Sequence, residues 1–312
     1  MVLLLLLGLL VGLFVLIKTT DHLIKLIATL GWRLKIPVFV LSSIFLALAT
    51  SMPEFFVGLA ASIDHQTSIS LGTILGSNIA DLSLIIGLAT VISGSVWAGD
   101  RFLTKDLHVV AAYALLPYLL IVDLSLSTID GLALIAVYIF YNVFLVRGEH
   151  SRVNEYPIYH GKTFRNLIFE FILWLVVLGV SAQLVVKTAS GLAEVFNISG
   201  LFVGLILVAL GTSLPELVVE IRSASQKKPG VFFGNILGSV VINASLILGI
   251  LAILGGLVIK SYNELLPSLI TQLSILICLT VFIHTKKRLA RWEGGILIVI
   301  YVLFLLLERF GV

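Results

Sequence analysis

"LVALGTSLPELVVEI", residues 207–221, sets Pro215 and Glu216 inside an otherwise apolar run, and nearly the same wording occurs earlier in the chain. "ALATSMPEFFV" (47–57) stands against "ALGTSLPELVV" (209–219). "GTILGSNIADLSLIIG" (72–87) stands against "GNILGSVVINASLILG" (234–249). Glu54 and Glu216, Ser77 and Ser239, and Asp81 and Asn243 are each 162 positions apart. A carboxylate deep in an apolar span is costly in a bilayer and marks a functional site.

Composition places both copies in a membrane. The 312 residues are 59% hydrophobic and 12% charged, with a mean hydropathy of +1.16. A soluble domain carries about 25% charged residues. Apolar stretches of about 20 residues recur, long enough to cross a hydrocarbon core. The opening "MVLLLLLGLLVGLFVLIK" lacks a positive leader region and a small-residue cleavage site, so it reads as a first membrane helix rather than a signal peptide. The lone Cys278 excludes an internal disulfide, no cofactor motif is present, and the net charge of +3 carries no sign of nucleic-acid binding.

Hydropathy predicts an all-α membrane protein with ten transmembrane helices, at 2–30, 36–62, 69–93, 105–123, 128–146, 167–195, 200–222, 231–258, 264–284 and 291–308. The polar interval "RGEHSRVNEYPIYHGKTFRN" (147–166) divides the chain into 1–146 and 167–312, with the repeated motifs at 47–87 and 209–249. Alternate connections carry fifteen Lys and Arg, among them Arg33, Lys35, Arg101, Arg152, Lys227 and Lys287, whereas the other side holds only Lys260 and Arg309. Under the positive-inside rule the basic side is cytoplasmic and both termini face outward. Five helices per half is an odd number, so the second copy enters the membrane from the opposite side. That is an inverted-topology repeat, whose substrate sits at the midplane where broken helices meet.

The breaks have a chemical use. Pro53 and Pro215 lack an amide hydrogen and displace the carbonyls one turn back, near Ala49 and Gly211. Carbonyls freed in this way must face protein, water or an ion. Thr50, Ser51 and Glu54 in one half, and Thr212, Ser213 and Glu216 in the other, surround the breaks with hard oxygen ligands suited to Na+ and Ca2+. Two such clusters brought together hold at least two negative charges, which favours a divalent cation. No His or Cys belongs to the motif, which disfavours zinc and copper. In "GSNIAD" Ser77 and Asp81 share a helix face, as do Ser239 and Asn243 in "GSVVIN". The glycines at 72, 76, 234 and 238 lack the Lys and preceding strand of a phosphate loop and read as close-packing positions.

Two inverted repeats bearing Thr-Ser-x-Pro-Glu, each followed by Gly-Ser and an Asp or Asn, resemble the α-repeats of the calcium/cation antiporter superfamily. The resemblance is nearest to the prokaryotic sodium/calcium exchangers, with proton/calcium exchangers as relatives, and it covers all ten helices. It implies a multi-pass protein of a prokaryotic cell membrane that moves Ca2+ against Na+ or H+ by alternating access, without a cofactor. By the same resemblance, Glu54 and Glu216 ligate Ca2+ together with the Thr50 and Thr212 carbonyls. Ser51, Ser77, Ser213, Ser239, Asp81, Asn243 and the carbonyls of Ala47 and Ala209 line adjoining cation sites. The first and sixth helices, 2–30 and 167–195, slide or bend to open one side or the other. One departure bears on coupling: the acid of the Asp/Asn pair lies in the first repeat here, whereas the family pattern puts Asn there and Asp in the second. Three crowded carboxylates also suit a proton as the exchanged ion.

Other polar residues read as peripheral. Lys18, Asp21, His22 and Lys25 form one stripe on the first helix, read as snorkelling at the inner leaflet. Glu220 reads as interfacial, Glu170 and Glu194 as water-facing near helix ends, and His150 and His160 as solvated loop residues. Trp32, Trp97 and Trp292 suit the membrane interface. Two other classes compete. A cation channel has the same oxygens, but carboxylates packed so closely bind too tightly for fast conduction. An intramembrane protease needs a base beside its nucleophile, and no His accompanies either motif.

Overall fold

Pro53 and Pro215 each begin a helix rather than interrupt one. In the computed structural model the chain turns at Ser51 and at Ser213, and each proline falls in the first turn of the helix that follows. Its missing N–H costs nothing there. The two bends measure 50° and 46°. The structure describes residues 2–33, 40–97, 103–148, 164–198, 200–259 and 261–310. Expectations for Lys35, Arg101 and Lys260, for most of the 147–166 connection with His150 and His160, and for the carboxyl terminus lie outside those residues.

Ten helical rods run through the described residues. They are α1 (Val2–Arg33), bent α2 (Ser42–Thr50, then Met52–Ile63), α3 (Thr67–Ser93), α4 (Leu103–Leu120) and α5 (Thr128–Gly148). The second set is α6 (Phe164–Phe196), bent α7 (Gly200–Thr212, then Leu214–Ser225), α8 (Pro229–Gly255), α9 (Leu266–Lys286) and α10 (Arg291–Phe310). By length and apolar composition six of them suffice to cross a membrane, or eight when each bent pair counts as one span. Ten spans of that quality, the number expected from hydropathy, are thus not shown among the described residues. The apolar part of α4 is a shorter stretch, Leu107–Asp123. Large apolar side chains cover the outer surface, including Leu4 and Phe14 on α1, Phe140 and Phe144 on α5, Val180 on α6 and Leu303 on α10. So broad an apolar exterior suits lipid rather than water.

Four π-helical turns, none expected from sequence, interrupt the rods: Leu41–Leu46, Asp81–Ile85, Val203–Val208 and Ile242–Ile247. Two of them meet the repeated glycines of the other half. A Cβ on Gly76 would lie 2.3 Å from the Leu205 carbonyl oxygen, and one on Gly238 would lie 2.2 Å from that of Ser43. Both contacts are backbone against backbone, and both partners sit 162 positions from their counterparts. The glycines therefore do the close packing expected of them.

The same exchange repeats elsewhere. Gly87 of α3 meets Gly294 of α10, and Gly131 of α5 meets Gly249 of α8. Short strands do likewise: β1 (Ser95–Trp97) pairs antiparallel with β4 (Arg288–Ala290), and β2 (Ser125–Leu126) with β3 (Leu257–Val258). Outside this interleaved body α1 and α6 form an antiparallel pair, with Gly8 against Thr188, Gly12 against Val185 and Gly191 against Leu5. Their apolar faces build a separate, smaller cluster of Leu9, Leu16, Leu178, Val185 and Leu192, which rests on Val57, Ala61, Val203 and Val208.

Candidate functional site

The two breaks are built alike. At the first, the Ser51 amide donates to the Ala47 carbonyl (2.9 Å) and the Thr50 hydroxyl donates to the same oxygen (3.2 Å). At the second, Ser213 N and Thr212 Oγ1 reach the Ala209 carbonyl at 3.0 and 3.2 Å. The Ala47 and Ala209 oxygens proposed as ligands are thus already engaged by two donors each. Beyond each break the new helix starts with Pro and then Glu, placing Glu54 and Glu216 in a first turn, where the helix dipole favours negative charge.

α3 and α8 cross beside the breaks and supply hydroxyls. Glu54 Oε1 accepts from Ser77 and from Ser213, each at 3.2 Å, so one bond comes from each half. Glu216 Oε1 accepts from Ser239 at 3.5 Å, and the Ser239 and Ser51 hydroxyls are 2.8 Å apart. Asp81 lies beside Ser213 and Ser239, within electrostatic reach of Glu54 and Glu216. All twelve residues singled out from the sequence are buried, with Glu54, Glu216 and Asp81 at 0% exposure.

Several of these polar atoms have no protein partner. Glu54 Oε2, Glu216 Oε2, both Asp81 oxygens and both ends of the Asn243 amide are buried without a hydrogen bond. Groups left in that state cost about 1–3 kcal/mol each, more when charged, and are normally completed by water or an ion. Among the described residues no three acidic, His or Cys side chains converge tightly enough to hold a metal unaided. A cation at this centre therefore depends on hydroxyls and carbonyls between the carboxylates, which are the ligands hard cations accept.

One expectation fails. Glu220 is fully buried rather than interfacial: its Oε1 accepts from Asn235 Nδ2 at 2.9 Å and its Oε2 from Ser223 at 3.2 Å. The exposed Arg222 points to an interface, but Glu220 is one helical turn from Glu216 and shares its face, whereas Arg222 does not. In the sequence Asn235 reads only as part of the packing motif "GNILG", and Asn78, buried with both amide ends unpartnered, carries no signal of its own. The i, i+4 spacing from Glu216 is the available signal for Glu220. Of the peripheral residues, Lys18, His22, Lys25, Trp97, Glu194 and Trp292 are exposed, and His22 stacks on Trp174 at 4.4 Å between ring centres.

A bundle of apolar helices around a buried polar centre defines a multi-pass membrane protein. The sodium/calcium exchanger protein family model matches residues 4–147 and 166–309, and the chain belongs to that family. An uncharacterised membrane protein of Methanocaldococcus jannaschii is 28% identical over 97% of each chain. The sodium/calcium exchanger MaX1 of Methanosarcina acetivorans is 28% identical over 95% of this chain and 96% of its own. A solved structure of the sodium-calcium exchanger NCX_Mj, soaked with Na+ and Sr2+, matches with a TM-score of 0.69 at 25% identity, covering 97% of this chain and 98% of that one. The relatives named for an activity are exchangers or antiporters, not enzymes.

Proposed function

We propose that this chain is a secondary antiporter that carries Ca2+ across a prokaryotic cell membrane against Na+ or H+, in the direction of Ca2+ efflux. The observation that carries the reading is the meeting of two Thr-Ser-x-Pro-Glu breaks around buried carboxylate oxygens that have no protein partner. Glu54 and Glu216, with the Thr50 and Thr212 carbonyls, form the Ca2+ site. Ser51, Ser77, Ser213, Ser239, Asp81, Asn243 and the Ala47 and Ala209 carbonyls serve adjoining monovalent positions, the two alanine carbonyls only after their hydrogen bonds loosen. The halves 1–146 and 167–312 are inverted five-helix repeats joined by a cytoplasmic 147–166, with both termini outside. The strand pairs support that topology. β1 and β4 both adjoin connections on the basic side, and β2 and β3 both adjoin connections on the other. The functional names of related exchangers support Ca2+ and Na+ as cargo.

The deciding experiment is Ca2+ uptake by proteoliposomes under an imposed Na+ gradient and, separately, an imposed pH gradient. Saturable uptake driven by either is expected, and the gradient that drives it names the counter-ion. Uptake indifferent to both would defeat the antiporter reading.

A further inference from the structure

Thr50 and Thr212 hold the same place in the two halves, yet their surroundings differ. Both donate to the carbonyl three residues back. Thr50 Oγ1 also lies 3.4 Å from Asn235 Oδ1, across the boundary between halves. The position equivalent to Asn235 is Thr73, which instead donates to the Ile69 carbonyl of its own helix at 2.8 Å. Glu220, which holds the other end of Asn235, and Ser223, which donates to Glu220, have only Gly58 and Ala61 as counterparts. The second half therefore braces the first through a polar chain with no return.

That chain has a direction. Asn235 can turn its oxygen to Thr50 only while its NH2 is turned to Glu220, and the 2.9 Å bond from that NH2 to Glu220 Oε1 holds that orientation. With the amide oxygen facing it, the single Thr50 hydroxyl hydrogen can leave the Ala47 carbonyl for Asn235, which turns it away from the ion cage. Its lone pairs then face the cage, whereas an unbraced Thr50 hydroxyl is free to give its hydrogen to Glu216, which lies beside its side chain. With the amide reversed, an N–H would meet the Thr50 oxygen and draw those lone pairs away. We propose that Glu220 and Asn235 are positioning residues for Ca2+ binding: Glu220 sets the Asn235 amide, and Asn235 orients Thr50 within the cage. This rests on the cation-binding reading above, and neither residue touches the transported ion.

The test uses the full chain in proteoliposomes, measuring KM and maximal rate for Ca2+ with folding checked by size-exclusion elution. In Glu220→Gln the amide oxygen still accepts from Asn235, and the new NH2 donates to Ser223, whose hydroxyl can turn to the Glu220 backbone carbonyl 3.1 Å away. That variant should keep KM within about twofold of the parent and leave the pH profile unchanged. Glu220→Ala and Asn235→Ala should each raise KM roughly tenfold, the scale of a buried hydrogen-bonding group left without its partner, with little loss of maximal rate. The double variant should be no worse than either single one. If Glu220→Ala does not fold, Asn235→Ala, which removes no charge, decides the matter. A KM raised as much by Glu220→Gln as by Glu220→Ala would overturn the proposal, since charge rather than hydrogen bonding would then be at work. So would an unchanged KM in Asn235→Ala. Absence of gradient-driven uptake in the unmodified chain would instead sink the antiporter reading.

Discussion

On the proposed reading the charge that offsets Ca2+ dehydration resides on Glu54 and Glu216, so Glu54→Gln or Glu216→Gln should each abolish Ca2+ uptake while the protein still inserts and elutes as one species. Near-normal uptake by either variant would remove these residues from the site. Asp81 bears on the counter-ion. Protons and Ca2+ compete for the same oxygens, so apparent Ca2+ affinity should rise with pH wherever a carboxylate of the cluster must lose its proton before the metal binds. If protons are exchanged, Asp81→Asn should flatten that rise and weaken binding. If Na+ is exchanged, the same substitution should chiefly alter competition by Na+ at constant pH. Residue identity was readable here because a bilayer penalises a carboxylate that does no work in it. Residue geometry was not. Ser51 and Glu54 spell a helix capping box, Ser-x-x-Glu, and Ser51 does stand at the cap position, yet its side chain makes no cap bond. Ser51 pairs with Ser239 and Glu54 with Ser77 and Ser213, partners 188, 23 and 159 positions away. No local rule shows which of two available partners a side chain takes.

Among the elements, the bends at Ser51 and Ser213 were legible because Pro and its neighbours dictate them, whereas the four π turns were not. A π turn inserts one residue into the hydrogen-bond ladder without a side-chain marker, and two of these present the Ser43 and Leu205 carbonyls to glycines of the other half. Stability is predicted to turn on that contact. In a helix interior Gly→Ala ordinarily gains about 1 kcal/mol. At Gly76 and Gly238 the added methyl meets backbone oxygen that cannot swing aside, so Gly76→Ala and Gly238→Ala should each lose about 1–3 kcal/mol. Gly295→Ala, with nothing within 4 Å of the new carbon, should not. Thermal unfolding in detergent compares the three, and equal Tm values would refute the close approach.

For the molecule as a whole, the 162-residue spacing made the internal repetition readable before any fold was known, and the glycine and strand contacts repeat at or within one residue of that spacing. What spacing could not disclose is where the repeat is broken, as at Glu220 and Asn235. Orientation is open to a direct check. With Cys278 replaced, a single cysteine at position 154 should react with an impermeant thiol reagent only from the cytoplasm, and one at position 312 only from outside. Labelling of both from one side would refute the predicted topology. The strand pairs carry a mechanical consequence. β1·β4 and β2·β3 stand at opposite ends of α4 and of α9, helices about 27 and 31 Å long at 1.5 Å per residue. Each pair takes one strand from either half. A body laced across its seam at both rims resists opening like a clamshell along that seam; on the proposed reading, access to the buried carboxylates then comes from the α1–α6 pair travelling over a frame that keeps its shape.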